Sequence, residues 1–180
     1  MEEWKKYCLS DIATIVTGKT PSTKKRELFD GEIHFVTPGD INKGFKHIYS
    51  TERTISKAGL LSVKGSTLEP NAICVSCIGN LGYVGMTTMQ CVSNQQINSL
   101  VAKEGFDSDF IFYLMRSLWP IFKNFEGQST TLSILNKGLF SKIEVCVPPL
   151  EKQKQIAGIL SSLDDKIELN NRINHNLWMN

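Results

Sequence analysis

Val147-Pro148-Pro149-Leu150-Glu151-Lys152-Gln153-Lys154-Gln155-Ile156 is where the chain changes character. A proline pair fits neither a helix interior nor a central strand, so it marks a boundary. Beyond it there is no proline and one glycine, Gly158. Ile156, Leu160, Leu163 and Ile167 recur at 4,3,4 spacing, and the same register continues through Asn170, Asn174 and Leu177. That is the pattern of a coiled-coil seam. Fully helical, these ~28 residues would reach ~42 Å at 1.5 Å per residue. A helix of that length cannot bury its seam on a small body and calls for a second helix. Polar Asn170 and Asn174 would cost stability there and favour one register or partner.

Upstream of the boundary the punctuation is that of a small sheet protein. Ala72–Ile78 is apolar except for Ser76 and reads as a buried strand. Tyr83–Thr87 reads as its partner after a Gly79–Gly82 turn. Ile33–Val36, Ile48-Tyr49, Ile97–Val101 and Ile143–Val147 read as further strands. Ser10-Asp11 before Ile12, Ala13, Ile15 and Val16 suggests a capped short helix. Asp107 or Ser108 caps a second helix whose core face carries Phe110, Ile111, Leu114, Met115 and Leu118, ended or kinked at Trp119-Pro120. This places a globular domain over residues 1–147 and a spacer or dimerisation helix over 148–180.

Composition narrows the function classes. The chain has 180 residues, 41% hydrophobic and 21% charged, a globular balance. No apolar run approaches the ~18 residues of a membrane span, and the first residues lack the order of a secretory signal. A soluble, cytoplasmic protein without membrane contact is the expectation. Net charge is only +2, but residues 19–64 hold nine basic residues against five acidic ones. The run Lys19 to Arg26 contains no acid. A basic first third attracts phosphates. Five cysteines do not make a disulfide framework. Cys74 and Cys77 have C-x-x-C spacing, but positions i and i+3 of a strand face opposite ways, so they read as buried hydrophobes rather than metal ligands.

Catalytic motifs fail one by one. Gly18-Lys19-Thr20 ends like a phosphate loop, but the required upstream glycine is Ala13. Gly79, Gly82 and Gly85 have the wrong spacing for a dinucleotide turn. The Pro148-Pro149 pair lacks the flanking residues of an amino-methyltransferase. Glu3-Trp4-Lys5 lies at the first residues, with no acid upstream beyond the adjacent Glu2 to make a nuclease site. These failures favour binding over catalysis.

The order of features carries a resemblance. Leu9-Ser10-Asp11-Ile12, Gly18-Lys19-Thr20-Pro21-Ser22 and Gly31–Ile41 come first. Cys77–Gly82 and Asn94-Gln95-Gln96-Ile97-Asn98 follow, then Pro148–Ala157 and Asp164-Asp165-Lys166-Ile167. This set resembles the DNA-specificity subunit of type I restriction–modification systems over nearly the whole chain. The resemblance implies a mixed α/β (α+β) target recognition domain with a mixed sheet, and a helix that packs antiparallel on a partner helix. It implies no cofactor and no catalysis in this chain. S-adenosylmethionine would belong to the modification (methyltransferase) subunits. ATP and Mg would belong to a restriction subunit.

A reader of double-stranded DNA needs cations for the backbone and amide, hydroxyl or guanidinium groups for base edges. Lys19, Lys24, Lys43 and Lys46 are the candidates for phosphate. Arg26, Asn42, Asn80 and Gln128 are the candidates for bases. Thr20, Ser22, Thr23, Lys25, His47, Tyr83 and Ser129 complete the candidate loops. Asn94-Gln95-Gln96 reads instead as structural, bonding at a turn or strand end. The family pattern has two recognition domains and two helices, and this chain has one of each. It is either a half-subunit that forms a homodimer or pairs with a second specificity half, or a fragment. A homodimer would read a palindromic bipartite site with a gap. The alternative is an interaction or regulatory half-subunit that holds the methyltransferase through its helix and reads no DNA.

Overall fold

The run Ala72–Ile78 sits at the centre of the molecule. In a computed structural model that describes residues 3–41, 45–127 and 133–178, its core is strand β7 (Ile73–Ser76), buried at every position. On one side it pairs antiparallel with β10 (Ile97–Ala102), and on the other with β8 (Val84–Thr87). The sheet is completed by β2 (Ala13–Thr17), antiparallel to β10, and by β4 (His47–Ile48), parallel to β8. The strand order is β2-β10-β7-β8-β4.

A second sheet has the order β5-β3-β9-β6. It contains β5 (Arg53–Ile55), β3 (Phe29–Val36), β9 (Cys91–Ser93) and β6 (Thr67–Leu68). β3 and β9 are parallel, so this sheet is mixed like the first. Val36, Leu68, Cys74, Cys91 and Ile97 form one apolar cluster that draws on both sheets. A third, two-stranded sheet joins β1 (Lys5–Cys8) to β11 (Glu144–Val147).

Four short helices fill the connections: α1 (Leu9–Ile12), α2 (Pro38–Ile41), α3 (Lys57–Ser62) and α6 (Lys137–Ser141). The expected helix through Val16 is therefore cut to one turn. Asp11 does bond the Cys8 N–H at 2.7 Å, but from Ala13 onward the chain is β2. Thr14, Ile15, Val16 and Thr17 are all β-branched, and pairing with β10 satisfies their backbone better than an isolated helix would. Asp107 caps α4 (Ser108–Ser117) by accepting from Phe110 N–H at 2.8 Å. Phe110, Ile111, Phe112 and Met115 of α4 enter the main core. Trp119-Pro120 ends α4 and opens α5 (Trp119–Gly127), because proline is tolerated in a first turn.

The last element, α7 (Leu150–Trp178), follows Pro148-Pro149 as a helix of 29 residues. Its two faces have different fates. Gln153, Ala157 and Glu168 are buried on the body, with Ser161 and Asp164 half-buried between them. The apolar seam lies roughly 100° further round the helix. Ile156 and Leu160 are half-buried, whereas Leu163 and Ile167 are more than half exposed. Ile159 and Ile173 add to this bare strip, and Asn170 and Asn174 are exposed as well. The side chain of Leu177 lies outside the described residues.

Candidate nucleic-acid interface

The basic loop is rooted in the sheet. Gly18 N–H donates to the Ile97 carbonyl at 3.0 Å, and Lys19 N–H to the Ser93 carbonyl at 2.8 Å. A Cβ on Gly18 would run into the Ser93 and Asn94 carbonyl oxygens, so only glycine permits this approach. Thr20 Oγ1 donates to Gln95 Oε1 at 2.5 Å. The Asn94-Gln95-Gln96 segment is a turn closed on itself: Asn94 Oδ1 accepts from Gln96 N–H at 3.0 Å, and its carbonyl accepts from Ile97 N–H at 3.1 Å. Its amide groups thus work inside the fold.

From that root the loop projects. Ser22, Thr23, Lys24, Lys25 and Arg26 are all exposed, as is Lys19. A groove of about 360 Å³ is lined by Lys19, Thr20, Ser22, Lys25 and Ser62 among others. A second, of about 310 Å³, is lined by Thr23, Arg26, Phe29, Asp30 and Arg53. Arg53 was not among the sequence candidates. Its guanidinium stands over the Phe29 and Phe35 rings at 5.6 and 5.9 Å, which brings a second guanidinium, beside Arg26, to the same groove. Only the β5–β3 pairing puts it there, so no local signal could have found it.

Asn80 is exposed at the tip of the glycine turn, where Gly79 and Gly82 both take left-handed backbone at φ 79° and 86°. Tyr83 is half-buried beside Trp119, with ring centroids 5.5 Å apart. Lys123 lies over the Trp119 ring at 4.2 Å and pairs with Glu126 at 2.7 Å. Partial burial alone would raise the Glu126 carboxyl, but Lys123 and the Leu81 N–H, which also donates to it, hold it below its usual range. Phe45, Tyr83, Arg116 and Trp119 line a cleft of about 340 Å³. Phe45, Arg116 and Trp119 were likewise absent from the sequence candidates.

Lys46 does not belong to this surface, a correction to its expected phosphate contact. It is 4% exposed. Its Nζ lies 2.6 Å from Asp109 Oδ1, donates to Ser161 Oγ at 2.7 Å and sits over the Tyr113 ring at 5.2 Å. These partners come from α4 and α7, far away in sequence, and they leave no room for a phosphate. His47 is half-buried, 3.8 Å from Glu168 on α7 and packed against Tyr49. Asn42, Lys43, Gln128 and Ser129 lie outside the described residues.

The thiols are structural. Cys74 and Cys77 join different apolar clusters, as the strand geometry requires. Burial pushes both up to about 11 and raises Cys91 as well. Among the described residues no group of three or more His, Cys, Asp or Glu could hold a metal ion. No described helix is long and apolar enough to cross a membrane.

Known proteins place this architecture. A family model described as the type I restriction modification DNA specificity domain matches residues 1–178. The chain is 30% identical over 174 residues to the HindI type I restriction enzyme specificity subunit of Haemophilus influenzae, which takes in 92% of this chain and 37% of that protein. It is 28% identical over 170 residues to the MjaIX specificity subunit of Methanocaldococcus jannaschii, 93% of this chain and 39% of that one. Its fold matches the type I restriction–modification S subunit of M. genitalium with a TM-score of 0.71 at 18% identity, over 98% and 44% of the two chains. The chain spans about two fifths of the length of the relatives it matches. Matched over all but its last two residues, with the mixed sheets and long terminal helix in place, the chain belongs to the type I restriction modification DNA specificity domain family.

Proposed function

We propose that this chain reads one half of a bipartite sequence in double-stranded DNA and has no catalysis of its own. The observation that carries this is the loop from Lys19 to Arg26, whose cations and hydroxyls are exposed on a root fixed by Gly18 and the Asn94 turn. Exposed lysines replace counterions along a phosphate backbone. A guanidinium on a fixed loop can bond a guanine edge with two N–H groups. Lys19, Lys24 and Lys25 act on phosphates, and Arg26 and Asn80 act on bases. Modification subunits using S-adenosylmethionine, and a restriction subunit using ATP and Mg, supply the chemistry in the cytoplasm. The α7 seam joins a second copy or a second specificity half as a coiled coil, which makes residues 1–147 the reader and 148–180 the spacer. Two copies related by a two-fold axis would read a palindromic site with an unread gap.

The test is duplex binding by the full chain with its modification subunits across a salt series. Affinity is expected to fall linearly with salt on logarithmic axes. Lys19→Ala, Lys24→Ala and Lys25→Ala should each lower that slope by about 1 without changing sequence preference. Arg26→Ala should relax one base position, at a discrimination loss of ~1–3 kcal/mol. Binding with neither salt dependence nor sequence preference would overturn the reading. It would favour an interaction half-subunit, which the bare apolar strip on α7 supports.

A further inference from the structure

The face that α7 turns to the body is polar where a long helix would ordinarily bury its apolar side. Two separate anchors hold it. Near the root, Gln153 Nε2 donates to the Pro148 carbonyl at 2.9 Å, and Gln153 Oε1 accepts from Asp107 N–H at 2.9 Å. About two to four turns further on, at Ser161 and Glu168, the helix meets Lys46. Lys46 Nζ bonds Ser161 Oγ and pairs with Asp109, so one ammonium ties α7 to α4. Glu168 accepts from the Lys46 N–H at 3.2 Å and from the Tyr49 hydroxyl at 2.9 Å. Tyr113 of α4 donates to Asp164 at 2.8 Å. Lys46, Gln153 and Glu168 are each at most 7% exposed.

Burying charge in this way is costly, and an apolar contact of the same shape would hold the helix at least as firmly. What a set of directional bonds provides is one orientation. The distance from Gln153 to Glu168 is about 22 Å at 1.5 Å per residue, so the second anchor acts on a lever whose pivot is the root. Past Glu168 the helix runs on to Trp178.

We infer that Lys46, with Glu168, is a positioning residue that fixes the angle between α7 and the reading body, and thereby sets the length of the gap between two half-sites. The angle belongs to the single chain. The gap rests on the reading of the previous subsection, and the two are measured separately. Without the Lys46 anchor the helix keeps its Gln153 root and, beyond it, the contacts of Asp164 with Tyr113 and Arg116, and its angle to the body spreads over a range. Each reader then stands over the DNA at a range of distances from its partner, while the bases it recognises stay the same.

The angle is tested with spin labels on Lys57→Cys and Lys166→Cys in the full chain, with Cys8 and Cys146 replaced by serine and excess unlabelled chain added. One narrow distance is expected for the parent. Lys46→Met and Glu168→Gln are expected to broaden or shift it while the near-ultraviolet circular dichroism stays unchanged. A narrow, unshifted distance in Glu168→Gln and in any folded Lys46→Met overturns the inference. Should Lys46→Met fail to fold, Glu168→Gln, which alters one atom on the helix, decides alone. The gap is tested by mapping methylated sites with the modification subunits present. The parent is expected to give a single gap, and the variants the same half-sites at two or more gap lengths. One unchanged gap in the variants also overturns the inference. A parent that methylates no bipartite motif refutes the proposed function instead, and the label distance still decides the anchor.

Discussion

At the scale of single residues, the same side-chain type has opposite roles according to where the fold puts it. Lys24 and Lys46 are both lysines in the basic first third, yet one is exposed on a loop and the other is enclosed by two aromatic rings, a carboxylate and a hydroxyl. Nothing within several residues of Lys46 marks it, because its partners Asp109 and Ser161 come from distant helices. The cysteines were legible, since a three-residue step along a strand splits the pair between faces. They also yield a measurement. The thiolate is the reactive form, and burial keeps Cys74 and Cys77 protonated up to about 11. Thiol titration at about pH 8 should label Cys146 first and Cys8 more slowly, with Cys74, Cys77 and Cys91 reacting only on unfolding. Their folded-state values are raised, so the stability they contribute is complete below about 9 and is lost as pH rises towards about 11. An alkaline loss of melting temperature in that window is the expected outcome.

At the scale of elements, periodicity located what was long or deeply buried and misjudged what was short. The central strand and α4 were legible because a short, mostly apolar run between Asn71 and Gly79 reads as a strand and a three-and-four repeat reads as a helix. Ile12, Ala13, Ile15 and Val16 fit two templates, and the choice fell to β10, whose residues pair with β2 from 81 to 89 positions away. The eight-residue β3 begins earlier than its apolar stretch suggests, because a register shift between Phe29 and Ile33 absorbs Asp30 in left-handed backbone. The seam of α7 was visible, but the polar body-facing side was not, since Gln153, Ser161, Asp164 and Glu168 read as an ordinary wet face. That division predicts unequal mutant effects within about two turns of each other. Ala157→Leu, pressed into the core, should cost ~1–3 kcal/mol, whereas Leu163→Asn, already more than half exposed, should stay within ~0.5 kcal/mol. Thermal melts of dilute protein check both.

At the scale of the whole molecule, the bare strip of Ile159, Leu163, Ile167 and Ile173 makes self-association the expected behaviour of the full chain. Sedimentation should show a mass that rises with concentration. Leu163→Asn together with Ile167→Asn should hold the chain at the monomer mass without unfolding it. The overall plan was legible as an order of motifs, although each motif was weak. Of the residues put forward for DNA contact, the structure gathers on one exposed loop those that are consecutive, from Lys19 to Arg26. Arg53 joins the groove beside Arg26, and Phe45 and Trp119 the cleft beside Tyr83, through tertiary pairing, which one-dimensional spacing does not encode. The pairing of β1 with β11 has a mechanical consequence. Lys5 lies opposite Val147 and Cys8 opposite Glu144, so tension drawn along α7 enters the body at one end of this ribbon and leaves at the other. A pull directed along the ribbon loads its rungs in shear, all together rather than one after another. Under such a force, the root of α7 should hold after its tip has bent.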